Sequence, residues 1–141
     1  MLPSARMLVC AALATLTLGA CSDTAASGDA DAAVGTYTLV TIDGQPLPVV
    51  VDQSGADMLE ITQGTVVLDA DRTFDDSTVL RTTLAGVVST ETDAASGNWT
   101  LSGRTVAFTP NDQSGPYEMT WDGNNQLTQD FSGLILVYQR H

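Results

Sequence analysis

The chain has no lysine, and its five basic residues are all arginines set against 17 acids, a formal net charge of −12 over 141 residues. A surface so poor in cations offers nothing to a phosphate backbone, which is bound by clustered positive charge, and nucleic acid is excluded as a partner. Histidine occurs once, as His141, where fraying prevents an ordered base. Cysteine occurs twice, at 10 and 21. Ser-His-Asp and Cys-His catalysis therefore cannot be assembled, and no His/Cys constellation exists for zinc or copper. Two placed carboxylates would suffice for acid–base work. The aspartates, however, gather in turn sequences such as Asp43-Gly44, Asp69 with Asp71, and Asp122-Gly123. Turn chemistry accounts for them without catalysis. The stretch DADRTFDD brings Asp69, Asp71, Asp75 and Asp76 near one another but lacks the glycine and terminal glutamate of an EF-hand loop. The expectation is a non-enzyme with no cofactor and no metal.

Long apolar runs are almost as scarce. The single one, Met7 to Leu18 (MLVCAALATLTL), follows Arg6 and ends before the small residues Gly19 and Ala20. A short basic region, an apolar core of about 7–15 residues and a small-residue cleavage site describe a secretory signal. A membrane-spanning helix would need about 20 apolar residues. Leu18-Gly19-Ala20-Cys21 resembles the lipobox of bacterial lipoproteins, in which the cysteine sulfur receives a diacylglycerol before cleavage ahead of it. Residues 1–20 are then the signal peptide, Cys21 is the lipidation site, and the mature chain keeps no second thiol for a disulfide. All 17 acids lie in that mature chain with four arginines (72, 81, 104, 140), so it repels anionic headgroups and its acyl chains alone hold it to the membrane. Ser22 in place of an aspartate favours the outer membrane of the bacterial envelope over inner-membrane retention. Residues 22–34 (SDTAASGDADAAV) are small and acidic, with no large apolar side chain to offset chain entropy, and read with Cys21 as a flexible tether.

The remainder, 35–141, is one domain by size, and it reads as strands throughout. Period-two runs of Val, Thr, Leu and aromatics are separated by Gly, Asn, Asp and Ser pairs. The pattern predicts eight strands, at 36–42, 58–68, 73–84, 87–101, 104–109, 116–121, 126–131 and 134–140. A two-residue link at Ser102-Gly103 would pair Leu101 with Arg104 and Trp99 with Val106. The one at Ser132-Gly133 would pair Phe131 with Leu134 and Leu127 with Tyr138. A three-residue loop at Ala70-Asp71-Arg72 would pair Leu68 with Phe74 and leave Arg72 in the left-handed position that commonly takes glycine. Each hairpin gathers its large apolar side chains on one face. A meander of eight strands with short links favours an all-β, antiparallel up-and-down barrel, with a two-sheet β-sandwich as the alternative.

Gly35-Thr36-Tyr37-Thr38-Leu39, Asp43-Gly44-Gln45-Pro46-Leu47-Pro48, Gly97-Asn98-Trp99-Thr100-Leu101-Ser102-Gly103 and Leu136-Val137-Tyr138-Gln139-Arg140 carry a further resemblance. Together they resemble the bacterial lipocalin-like lipoproteins, small secreted eight-stranded barrels. Gly35-x-Tyr37 stands where lipocalins have Gly-x-Trp. The resemblance implies that Arg140, near the end of the last strand, packs over Tyr37 and helps close the barrel. The pairing pattern places Phe74, Trp99, Phe108, Met119, Trp121 and Tyr138 inside, with Leu101, Val106, Leu127 and Phe131. These apolar residues are the candidate ligand-binding set, with the tyrosine hydroxyls orienting any cargo. The function expected is a lipid-anchored envelope barrel binding a small apolar ligand. The alternative is an envelope protein-interaction or inhibitor module with a packed core and no cargo.

Overall fold

A computed structural model describes residues 30–141; the expected signal peptide, the expected lipidation site at Cys21 and the expected tether up to residue 29 lie outside the described residues. Ten strands form: β1 (Gly35–Ile42), β2 (Gln45–Pro46), β3 (Val49–Ser54), β4 (Asp57–Leu68) and β5 (Thr73–Leu84), followed by β6 (Val87–Ser102), β7 (Thr105–Pro110), β8 (Tyr117–Trp121), β9 (Gln126–Phe131) and β10 (Leu134–Arg140). All pair antiparallel in one sheet. β4 to β10 follow one another as a meander, and β1 bonds β10 along one edge and β4 along the other. Eight strands thus close into an up-and-down barrel, and the sandwich is excluded.

The turns set the register. Ser132 and Gly133 both have positive φ (53° and 91°), and Phe131 pairs with Leu134 and Leu127 with Tyr138. Both angles fit the mirror-image turn that matches strand twist. Arg72 occupies the left-handed position (φ 72°), with Leu68 opposite Phe74. Its strain is offset locally. The Arg72 carbonyl accepts the Trp99 N–H at 2.8 Å, its guanidinium lies 4.8 Å from the Trp99 ring centre, and Nη2 pairs with Asp31 at 2.6 Å.

The β6–β7 hairpin corrects the expected pairing. Its two-residue link is Gly103-Arg104, so Leu101 faces Val106 and Trp99 faces Phe108. Gly103 has φ 61°, which the first link position requires and which would strain Ser102 there. Each partner moves by two residues, which leaves every side chain on its expected face.

β2 and β3 add to the eight strands expected. Pro46 sits in β2 at the edge of the sheet, where a missing N–H costs no ladder bond. The two strands explain the barrel's shape. β1 and β4 stay paired only from Gly35–Leu68 to Thr38–Thr65. Beyond that point β2 takes the edge of β1 and β3 takes the edge of β4, with irregularities in register at Val40, Val51 and Thr62. Bulges bend strands apart. The barrel flares at this end.

The other end is shut. Residues 30–32 form one helical turn, and Ala30 and Ala33 are buried under the barrel. The tether expected to run to residue 34 therefore stops short of it, because two alanine methyls find apolar cover and the Tyr37 hydroxyl donates to the Ala33 carbonyl at 2.7 Å. Tyr37 stands in register with Arg140, whose guanidinium lies 5.8 Å from the ring centre. Between the two ends the core is packed with Tyr37, Leu68, Phe74, Trp99, Val106, Phe108 and Leu127, all essentially without exposure. Each such side chain contributes about 1.5–3 kcal/mol on burial.

Candidate functional site

Above that core the flare encloses a cup of about 470 Å³, within the range of small-molecule sites. Its walls are Leu59 and Ile61 of β4, Leu80 of β5 and Leu136 of β10, with Val51 of β3 on the flared side. Phe131, Leu134 and the Ser114–Pro116 stretch of the β7–β8 link form the rim. The period-two alternation of β5 runs inward through Phe74, Asp76, Thr78 and Leu80, and so sets one carboxyl into an otherwise apolar wall.

Asp76 is held from the floor. Its Oδ2 accepts the Tyr117 hydroxyl at 2.8 Å, while Oδ1 is shielded and has no partner. The Tyr117 ring in turn stacks on Phe108 (centroids 4.7 Å, 4° apart) and meets Phe74 edge-on at 6.1 Å. Phe74 and Phe108 pack as a T at 4.9 Å. The aromatic core thus fixes Tyr117, and Tyr117 fixes the carboxylate.

Burial pushes the Asp76 carboxyl above its ordinary range against the pull of the Tyr117 bond, and the nearby Asp93 charge raises it further. The Tyr138 hydroxyl, also raised by burial and then by the Asp76 charge, faces the same space. Tyr117 is raised for the same two reasons, burial first. Among the described residues lining the cup there is no arginine, lysine or histidine, while Asp76, Asp93 and Asp112 all line it.

Of the six residues expected to bind ligand, Tyr138 alone lines the cup. Phe74 and Phe108 lie behind Tyr117 in the aromatic floor. Trp99 sits toward the shut end, its indole N–H donating to the Asp69 carbonyl at 3.1 Å. Met119 and Trp121 are buried at 2% and 5% exposure without reaching the cup. Phe131, expected inside, is 59% exposed because its inward face falls on the rim, above the last covering strand. Tyr37 and Arg140 belong to the shut end. Asp76, Tyr117 and the walls of β4 were missed. Counting by twos from Phe74 reaches Asp76, but within DADRTFDD it reads as one more solvated turn acid.

Several of the other acids do cap turns. The carboxylates of Asp71, Asp112, Asp122 and Asp130 accept backbone N–H groups of Thr73, Ser114, Asn124 and Gly133 at 2.8–3.0 Å. Among the described residues no three His, Cys, Asp or Glu side chains are grouped to hold a metal. No protein family, no curated protein and no solved structure matches the chain.

The raised Asp76 carboxyl has a consequence for stability. A group that binds its proton more tightly folded than unfolded contributes stability at low pH, lost as pH rises through its folded pKa. Asp76→Asn keeps an acceptor for Tyr117 and removes the half-buried charge. Its thermal midpoint is expected above that of the wild type at pH 8, the difference shrinking as pH is lowered toward 4. Calorimetry at both values checks this, and an Asn variant less stable at pH 8 than at pH 4 relative to wild type would refute it.

Proposed function

We propose that this chain is a lipid-anchored protein of the bacterial envelope, of the lipocalin-like lipoprotein kind, that holds a small and mostly apolar ligand in its cup. The observation that carries this reading is the cup itself, formed where β1 and β4 part above a packed floor. A barrel selected only for stability would fill that space with side chains. Anchoring through Cys21 fits the same geometry. The chain enters the barrel at its shut end, and the eight residues 22–29 reach at most about 28 Å. The domain then hangs from its shut end with the mouth on the far side from the lipid.

Two measurements test the reading. Cys21→Ser is expected to leave the protein unprocessed and unacylated, seen as loss of the lipidated mass and of partition into detergent. Quinones and hydrophobic dyes titrated to tens of micromolar are expected to shift the ring resonances of Tyr117 and Tyr138. Tryptophan emission is the poorer reporter, because neither indole borders the cup. Probes that leave both tyrosines unmoved would end the cargo reading.

A second reading has its own support. β6 pairs with β7 only from Gly97 onward, so residues 87–95 have no described strand on that side. Leu84, Val87 and Val88 at the hairpin tip are 58–69% exposed. Such an edge takes an added strand from a partner. This is the interaction surface to pursue if the cup stays empty.

A further inference from the structure

The polarity of the cup narrows its cargo. The apolar walls bury the body of a ligand, but they also hold a carboxyl whose Oδ1 lacks any hydrogen bond. A buried acceptor left unpaired costs about 1–3 kcal/mol, more for a charged group. Tyr117 offers only one hydroxyl, already committed to Oδ2. The titratable groups around Asp76 are Tyr117 of β8, Tyr138 of β10, Asp93 of β6 and Asp112 of the β7–β8 link. None is a cation at neutral pH. The site offers no cation to the carboxylate and has negative charge to spare.

We propose that the cup recognises an apolar molecule bearing a protonated amine, with the ammonium group paired to Asp76 and the apolar body against Leu80, Leu136 and Ile61. This inference rests on the cargo reading and deepens it. An ammonium neutralises a charge that burial disfavours. A carboxylate-headed ligand of the same size meets Asp76, Asp93 and Asp112 with no cation to offset them. Fatty-acid anions are therefore excluded. A neutral alcohol can donate one bond but leaves the charge uncompensated.

The test uses the whole mature chain, residues 21–141, carrying Cys21→Ser to keep it unacylated. Phenethylamine, 2-phenylethanol and 3-phenylpropanoate present one ring with three heads. Each is titrated at pH 7.5 while the Tyr117 and Tyr138 ring resonances are followed. The amine is expected to bind at least tenfold tighter than either competitor. Asp76→Asn, close to isosteric, is expected to reduce that preference to less than threefold. Lowering the pH is expected to weaken the amine and spare the alcohol as Asp76 takes up its proton, because protonation removes the charge. Equal affinities, tightest binding by the carboxylate, or an unchanged preference in Asp76→Asn would overturn the amine assignment and leave the cup as a binding site. Failure of all three ligands, together with quinones and dyes, would overturn the cup reading as well.

Discussion

Gly97→Ala is expected to cost the fold about 3 kcal/mol or more, a large effect for one methyl group. Gly97 lies in the middle of the β6 ladder, opposite Phe74 on one side and Pro110 on the other. A Cβ there would stand 2.1 Å from the Thr109 carbonyl oxygen, 2.8 Å from Pro110 Cα and 3.0 Å from the Phe74 ring. Two of the three obstacles are main chain, so no rotamer change relieves them. β7 would have to move away from β6 as a unit. That movement would also disturb the Asn111 N–H bond to the Ser96 carbonyl, 2.8 Å, which starts the rim. Because Phe74 supports Phe108 and both support Tyr117, the damage would reach the floor of the cup. Urea unfolding measures the loss, and the Tyr117 ring resonances should shift with it. A variant within 0.5 kcal/mol of wild type would show that β7 yields easily.

Gly97 also shows what the sequence makes legible. Alternation of side chains along a strand depends only on parity, so a register error of two residues at Gly103 left Trp99, Val106 and Phe108 correctly inside. Strand number, meander order and most of the core follow from such local rules. The flare does not. It depends on β2 and β3 taking the free edges of β1 and β4, a non-local pairing hidden by Pro46 and Pro48. The candidate site inherits that blindness. Large aromatics read from sequence as cargo contacts because they are inward-facing. Inward-facing at the shut end means core, and inward-facing at the flared end means lining. Only Tyr138 met both the pattern and the place. Asp76 had the pattern but not the residue type expected of an interior. A half-buried acid on an apolar face is where the strand pattern stops short of the candidate site.

Arg140→Ala is expected to destabilise the domain by about 2–4 kcal/mol. Most exposed arginines contribute little, because their ion pairs compete with water. Arg140 has no carboxylate partner among its bonds; it serves main-chain carbonyls. Its Nη1 donates to Ala32 at 2.6 Å and to Val34 at 3.1 Å, and its Nη2 donates to Asn124 at 2.6 Å. One side chain thereby ties the helical turn before β1 to the β8–β9 link and covers Tyr37. Bonds from a charged donor are worth about 1.5–3 kcal/mol each, but they are partly exposed and share one guanidinium, so they do not add in full. Gly35 makes room for the stem. A Cβ there would lie 2.5 Å from Arg140 Cδ, and its φ of 153° disfavours a side chain. Gly35→Ala is therefore expected to reproduce part of the Arg140→Ala loss, and the double variant to lose less than the sum. Arg140→Lys keeps the charge but not the planar fork, and is expected to recover less than half of the loss. Urea unfolding of the four variants, with hydrogen exchange at the Ala33 and Val34 amides, reads the result. Full stability in Arg140→Lys would mean that charge alone closes the barrel, and additive losses would separate Gly35 from the clasp.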